Sequence, residues 1–134
     1  MNQFRAGQFT ALICTNRAAR RIIDIPEVDI VINYDIQGTS DNGYGYIEPD
    51  HANYLYRVTR TGRFNTDGIA ISFYQTEGSI GENEISYISK IERHYEMKMQ
   101  EIVSIEEFMN IFYEMRPQLR RAAEAEGVIG EDLE

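Results

Sequence analysis

Three runs in the first half of the chain are dominated by apolar residues: FTALICT (9–15), VDIVINY (28–34) and GIAISFY (68–74). They are continuous, without the in-out alternation of a half-exposed sheet, and rich in β-branched and aromatic side chains. That pattern predicts parallel strands covered on both faces. Between the second and third lies HANYLYRVTR (51–60), preceded by Pro49 and by Asp50, a residue type suited to capping a helix. Further on, Ile85, Ile88, Ile91 and Tyr95 recur at near-helical spacing and predict a helix with one face in the core.

The carboxyl-terminal part carries a different pattern. MQEIV (99–103) predicts a short fourth strand, and Ser104 followed by Glu107 predicts a helix start. Ile105, Phe108, Met109, Ile111, Phe112 and Met115 give that helix one apolar face; Pro117 kinks or restarts it, and 118–126 continues as helix. QGTSDNGYGYIEPD (37–50) is loop by its Gly, Asn, Asp and Pro content. There is no internal repeat. Alternating strands and helices favour an open α/β sheet with ligands at the carboxyl ends of its strands. Thr15 and Asn16, Asp35 and the helix after the loop are expected to converge there.

Length and charge refine the picture. A chain of 134 residues fits one domain, assigned to 1–121, while Ala122–Glu134, with five acids and no base, is expected to fray. No apolar run reaches membrane-spanning length and no leader follows Met1, so the expectation is an intracellular protein without membrane insertion. The single Cys14 agrees with a reducing compartment and suits a buried role. Residues 1–63 balance seven arginines against seven acids, whereas 64–134 carry the whole net charge of −9. Such an acidic chain is a poor general binder of nucleic acid, so any phosphate contact has to be local.

The candidate for local contact is YLYRVTRTGRF (54–64), with Arg57, Arg60 and Arg63 at three-residue intervals. On a helix that spacing projects Arg57 and Arg60 together, and Gly62 allows the backbone to leave before Arg63. Forked guanidinium donors suit phosphate oxygens of a nucleotide or a nucleic-acid backbone. The same spacing also suits a solvated or salt-bridged helix face.

TNRAARRIIDIPEVDIVINYDI (15–36) resembles motif V and the following strand of DEAD-box RNA helicases, whose pattern is T-D/N-x-x-A-R-G-I/L/V-D-I/V-P. YRVTRTGRF resembles their motif VI, H-R-x-G-R-x-G-R-F, and GIAISF the strand after it. Order and spacing together make the likeness specific over residues 4–74. Ile36–Asn53, eighteen residues, forms a lengthened connection before motif VI, which, with SFYQTEGS and SKIERHYEMKMQEI, resembles the subgroup acting in mRNA export at the nuclear pore.

The resemblance implies a partial second RecA-like domain: an α/β fold with a mainly parallel sheet flanked by helices. It implies Arg60 and Arg63 as arginine fingers at the γ-phosphate of ATP, held with Mg²⁺ in the complete two-domain enzyme, and Arg57 in the interdomain network beside the nucleotide. Asp24 matches the carboxylate that meets the nucleotide ribose. Thr15, Arg20 and Arg21 match positions touching the RNA sugar-phosphate backbone, contacts with little sequence preference. The implied partners are RNA, the helicase's first RecA-like domain and a regulatory protein, in the cytoplasm or nucleus. Self-association through exposed sheet edges is a further expectation.

The chain departs from the pattern at Tyr56 (family histidine), Thr59 (glycine) and Arg21 (glycine), with one residue inserted before Asp24. The phosphate loop, D-E-A-D box and S-A-T motif of the first domain are not in this sequence, so no ATP site is complete within it. Two functions follow: part of an RNA-dependent ATPase, inactive alone, or a degenerate helicase-derived module that binds protein or RNA without turnover.

Overall fold

The structure, a computed structural model, describes residues 2–16, 28–39, 48–63, 66–76 and 78–126. The chain forms two compact units, Met1–Lys98 and Met99–Glu134.

The first unit is built on a strand–helix–strand crossover. After a single turn, α1 (Asn2–Arg5), come β1 (Ile30–Asn33), α2 (His51–Val58), β2 (Ile69–Ser72) and α3 (Gly78–His94). β1 and β2 pair in parallel, with Ile30 opposite Ile69, Ile32 opposite Ile71 and Asn33 opposite Ser72. The ladder extends past both strands through Ile69 N–H to the Asp29 carbonyl (3.0 Å) and Phe73 N–H to the Asn33 carbonyl (2.9 Å). Two of the three apolar runs thus form neighbouring parallel strands, as their pattern predicts.

FTALICT forms no strand. Ile13 is 98% exposed and Cys14 is exposed, which overturns the buried role expected of both. An apolar run becomes a strand only when its peptide groups find a ladder, and among the described residues none is paired with it. Burial of the other two runs is also incomplete. Ile30, Ile32 and Tyr34 share a face with Ile69, Ile71 and Phe73 by the two-residue side-chain period. On that face Ile32, Tyr34 and Phe73 are largely exposed, whereas on the other Asn33 is 2% exposed and bonds to the Ser72 hydroxyl at 3.2 Å. Neither face is fully covered: Ile30, Ile69 and Ile71 are half-buried on the first, and Ala70 is exposed on the second.

α2 begins as predicted. The Asp50 carboxylate accepts the Asn53 N–H at 3.0 Å and also the Asn53 side-chain amide, satisfying an otherwise orphaned helix donor. The 37–50 loop has a closed base: Gly38 and Pro49 form an antiparallel bridge, flanked by Thr39 N–H to the Glu48 carbonyl (2.7 Å) and Asp50 N–H to the Gln37 carbonyl (2.8 Å). Pro49 is fully buried beneath it.

α3 carries the expected stripe only in part: Ile91 is 0% exposed, Ile88 and Tyr95 are half-buried and Ile85 is 45% exposed, while Tyr87, outside the stripe, is 6% exposed. The helix stops with Met97 N–H on the Glu92 carbonyl (3.0 Å) and Glu96 at φ 52°, a left-handed cap without glycine. Its end is tied to α2: the Tyr95 hydroxyl donates to the His51 carbonyl at 2.8 Å, and the His51 and His94 rings stack at 4.2 Å. Lys90 pairs with Glu48 at the loop base at 2.8 Å.

In the second unit MQEIV is not a strand; it has no ladder partner among the described residues. α4 (Ile105–Met115) starts at Ser104, whose hydroxyl accepts the Glu107 N–H at 3.1 Å, while the Glu107 carboxylate reaches back to the Val103 N–H at 3.1 Å. Phe108, Phe112 and Tyr113 pack ring against ring along it. Pro117 restarts the chain as the first residue of α5 (Pro117–Ala125), a position where its missing N–H costs nothing.

Candidate functional site

Arg57 organises the carboxyl end of β1. It leaves the last turn of α2, and its side chain, 16% exposed, reaches back towards the start of that helix. Its Nε donates to Asn16 Oδ1 at 3.0 Å and its Nη2 reaches the same oxygen; Nη1 donates to the Asp35 carbonyl at 2.9 Å and to Asn33 Oδ1 at 3.4 Å. The Asp35 carboxylate lies 4.0 Å away. The Asn16 amide in turn donates to the Gln37 side chain. One guanidinium therefore joins the end of the first apolar run, the end of β1 and α2.

Around this hub, Tyr54 packs from α2 with its hydroxyl bonded to Ser72 on β2; burial pushes that hydroxyl above its ordinary value of 10, against the opposing effect of the Ser72 bond. A crevice of about 10 Å³, room for one water, separates Asp35–Gln37 from Asp50, Asn53, Tyr54 and Arg57. Beside it, an open groove of about 510 Å³ is lined by Tyr34, Asp35, Phe73, Tyr74, Gln75 and Glu84. The size is that of a small-molecule cleft, and its position beyond the carboxyl ends of parallel strands is where α/β sheets place ligands.

Arg60 and Arg63 stand elsewhere on the crossover. α2 ends at Val58, with the Thr59 hydroxyl bonded to the Leu55 carbonyl at 2.8 Å. Arg60 therefore lies two residues past the last residue of the helix. Its N–H bonds to the Arg57 carbonyl at 3.1 Å in a tightened last turn. The turn is then anchored beside the amino ends of the strands, by a bridge between Thr61 and Val28 and by the Thr61 hydroxyl on the Asp29 carbonyl at 2.8 Å. Gly62 has φ +65°, the left-handed conformation expected where the backbone turns away. Arg63 is held from behind by Thr66, whose N–H and hydroxyl both donate to its carbonyl, at 3.1 and 2.6 Å. Both arginines are half-buried.

Of the residues expected to converge, the structure brings together Asn16, Asp35 and Arg57, with exposed Thr15 next to Asn16; it holds the backbone of Arg60 and Arg63 at the opposite end of the strand pair. Arg20, Arg21 and Asp24 lie outside the described residues. Asn33 was not singled out by sequence, although an amide directly after the apolar Ile30–Ile32 is the signal that marks it. Among the described residues no group of three or more His, Cys, Asp or Glu is placed to hold a metal ion, and no helix is long and apolar enough to cross a membrane.

Comparison with known proteins identifies the fold and its class. Residues 1–65 match the family model for the helicase conserved C-terminal domain. A solved structure of the C-terminal domain of the DEAD-box protein Dbp5 superposes with a TM-score of 0.67 at 34% identity, covering 84% of this chain and 58% of that one. The chain is thus similar to the DEAD-box RNA helicases, and the part of them it matches is the C-terminal, second RecA-like domain.

Within that family the relatives it matches are of the Dbp5 type. It is 38% identical over 102 residues to the ATP-dependent RNA helicase dbp5 of Aspergillus niger, covering 76% of this chain and 20% of that protein. It also matches Saccharomyces cerevisiae Dbp5 bound to RNA and ADP BeF3, with a TM-score of 0.67, 33% identity and coverage of 87% and 27%. The chain spans about a fifth of the length of the curated relatives it matches.

Proposed function

We propose that this chain works as the second RecA-like half of a Dbp5-type ATP-dependent RNA helicase, gripping ATP and the RNA backbone together with a first RecA-like domain. The observation that carries the reading is the RTGR turn: two half-buried arginines either side of a left-handed glycine, fixed by Thr61 and Thr66, in a chain 34% identical to a Dbp5 C-terminal domain. Such a rigid turn suits delivery of fixed positive charge to a nucleotide lying between two domains. Bound ATP with its Mg²⁺ supplies the phosphoanhydride whose hydrolysis drives the cycle. Arg60 and Arg63 balance negative charge developing on the γ-phosphate. Asp24 accepts hydrogen bonds from the ribose hydroxyls, and Arg57 serves the network beside the nucleotide. The metal-holding acids belong to the first domain.

Thr15, Arg20 and Arg21 meet RNA through phosphate and sugar, so sequence preference is weak. The export-type likeness extends the reading to remodelling of exported RNA–protein particles, in the cytoplasm or nucleus and at the nuclear pore, with a regulatory protein as partner. The incompletely covered sheet face and edges suit self-association when no other surface covers them.

A second reading, a helicase-derived binding module without turnover, is favoured by one observation: the Arg57 donors are already engaged inside the chain. One experiment separates the two. The chain is combined with a DEAD-box first domain and the remaining part of the second, and RNA-stimulated ATP hydrolysis is measured. The helicase reading expects activity that Arg60→Ala lowers by roughly a thousandfold or more. A folded assembly with no activity in either form supports the binding module.

A further inference from the structure

We propose that Arg57 is a positioning residue whose guanidinium clamps Asn16, and with it Thr15, against the carboxyl end of β1, so that one side chain ties the RNA-facing segment to α2, the helix that leads into the arginine-bearing turn. This rests on the reading of Thr15 as an RNA contact and of Arg60 and Arg63 as fingers.

The geometry is that of a clamp and not of an anion site. The Nε and Nη2 edge, the fork with which arginine grips a phosphate or carboxylate, is occupied by the single oxygen of Asn16. The Nη1 group is directed at the Asp35 carbonyl and at Oδ1 of Asn33, the last residue of β1 in the parallel ladder. With the side chain 16% exposed, a nucleotide reaching this fork would have to break bonds that hold three segments together. Asn33, 2% exposed, needs a donor for its oxygen, and Arg57 is that donor. Asn16 carries the clamp onward through its amide to Gln37 at the base of the long loop. Three residues beyond Arg57 the same segment becomes the turn that holds Arg60. A displacement of Thr15 and Asn16 by RNA is therefore transmitted to α2 through rigid hydrogen bonds, the physical route by which one site biases another.

Two measurements test this. In the chain alone, the Arg57 Nε–H should exchange with solvent at least about tenfold more slowly than that of exposed Arg93, and Asn16→Ala should remove the difference. In the assembly described above, affinity for a single-stranded oligouridine probe should fall by about tenfold in Arg57→Lys, in Asn16→Ala and in the double variant alike, because all three break one clamp. ADP affinity should hold in Asn16→Ala, and Asn16→Asp, which keeps the acceptor, should restore RNA binding. The proposal is overturned by Arg57 Nε–H exchange as fast as that of Arg93. It is equally overturned if Arg57→Lys weakens ADP and leaves RNA unchanged, or if the two single effects multiply in the double variant. An assembly that binds neither RNA nor ADP defeats the helicase reading instead, and rapid or slow Nε–H exchange then decides the clamp.

Discussion

Gly68 faces Gly62 so closely that a Cβ on Gly68 would collide with the Gly62 amide nitrogen and the Thr61 hydroxyl. The two glycines are not equivalent. At Gly62 a Cβ meets nothing nearer than 3.6 Å, and only its φ of +65° resists a side chain. Gly62→Ala should therefore cost about 1 kcal/mol, the usual penalty for a left-handed non-glycine residue. Gly68→Ala has to push backbone apart where β2 begins and should cost more, roughly 3 kcal/mol or above. Urea unfolding of the two variants side by side gives the order; equal midpoints would contradict it.

Asp50 supports two donors at the start of α2, one of them the side-chain amide of buried Asn53. Replacing it with alanine removes the cap and strips Asn53 of that partner, so Asp50→Ala should lower stability by about 1–2 kcal/mol. Asp50→Ser, which keeps an acceptor at the cap, should recover most of the loss. Thermal denaturation followed by circular dichroism makes the comparison.

His51 gives the chain a pH dependence. Burial lowers its pKa below the ordinary 6.5, and the neighbouring His94 pushes in the same direction, while Glu48 and Asp50 oppose it; among the described residues its buried Nδ1 has no hydrogen-bond partner. The unfolded chain therefore binds the proton more readily than the folded one. Stability from this group is complete above pH 6.5 and is lost as pH falls through the folded-state value. Chemical denaturation at pH 7.5 and at 5.5 should show a loss at the lower pH that His51→Gln reduces; an unchanged pH profile in that variant would assign the loss to other groups.

The exposed apolar side chains on one face of the strand pair predict association. Ile32, Tyr34 and Phe73 expose 59%, 87% and 53% of their surfaces on one side of the sheet. Clustered apolar exposure of this kind seeks a partner surface. Sedimentation velocity over a rising concentration series should show growing oligomers, and Ile32→Glu should shift the chain towards monomer without unfolding it. A clean monomer at high concentration would rule the association out.

Sequence made the local signals plain and left the non-local ones hidden. Asp50, Ser104 with Glu107, Gly62 and Pro117 each act within a few residues, and each stands where its chemistry requires. FTALICT carries the same pattern as the two runs that pair, yet pairing is decided by neighbours distant in sequence, and it forms no strand. The arginine spacing does not mark Thr59 as the cap that ends α2, where its hydroxyl bonds to the Leu55 carbonyl. Asn33 and Asn16 become meaningful only once folding brings Arg57 between them. The class of protein, in contrast, was legible, because motifs V and VI preserve residue order around the connecting strand.

The bridge between Gly38 and Pro49 isolates whatever chain length lies beyond it. Since the two ends of the 37–50 connection are already hydrogen-bonded to each other, α2 starts from the same place however many residues are threaded between Thr39 and Glu48. Doubling that length adds only about 0.6 kcal/mol of closure entropy. The crossover thus offers evolution, or an engineer, a splice point where new recognition sequence can be inserted without re-aiming a single arginine.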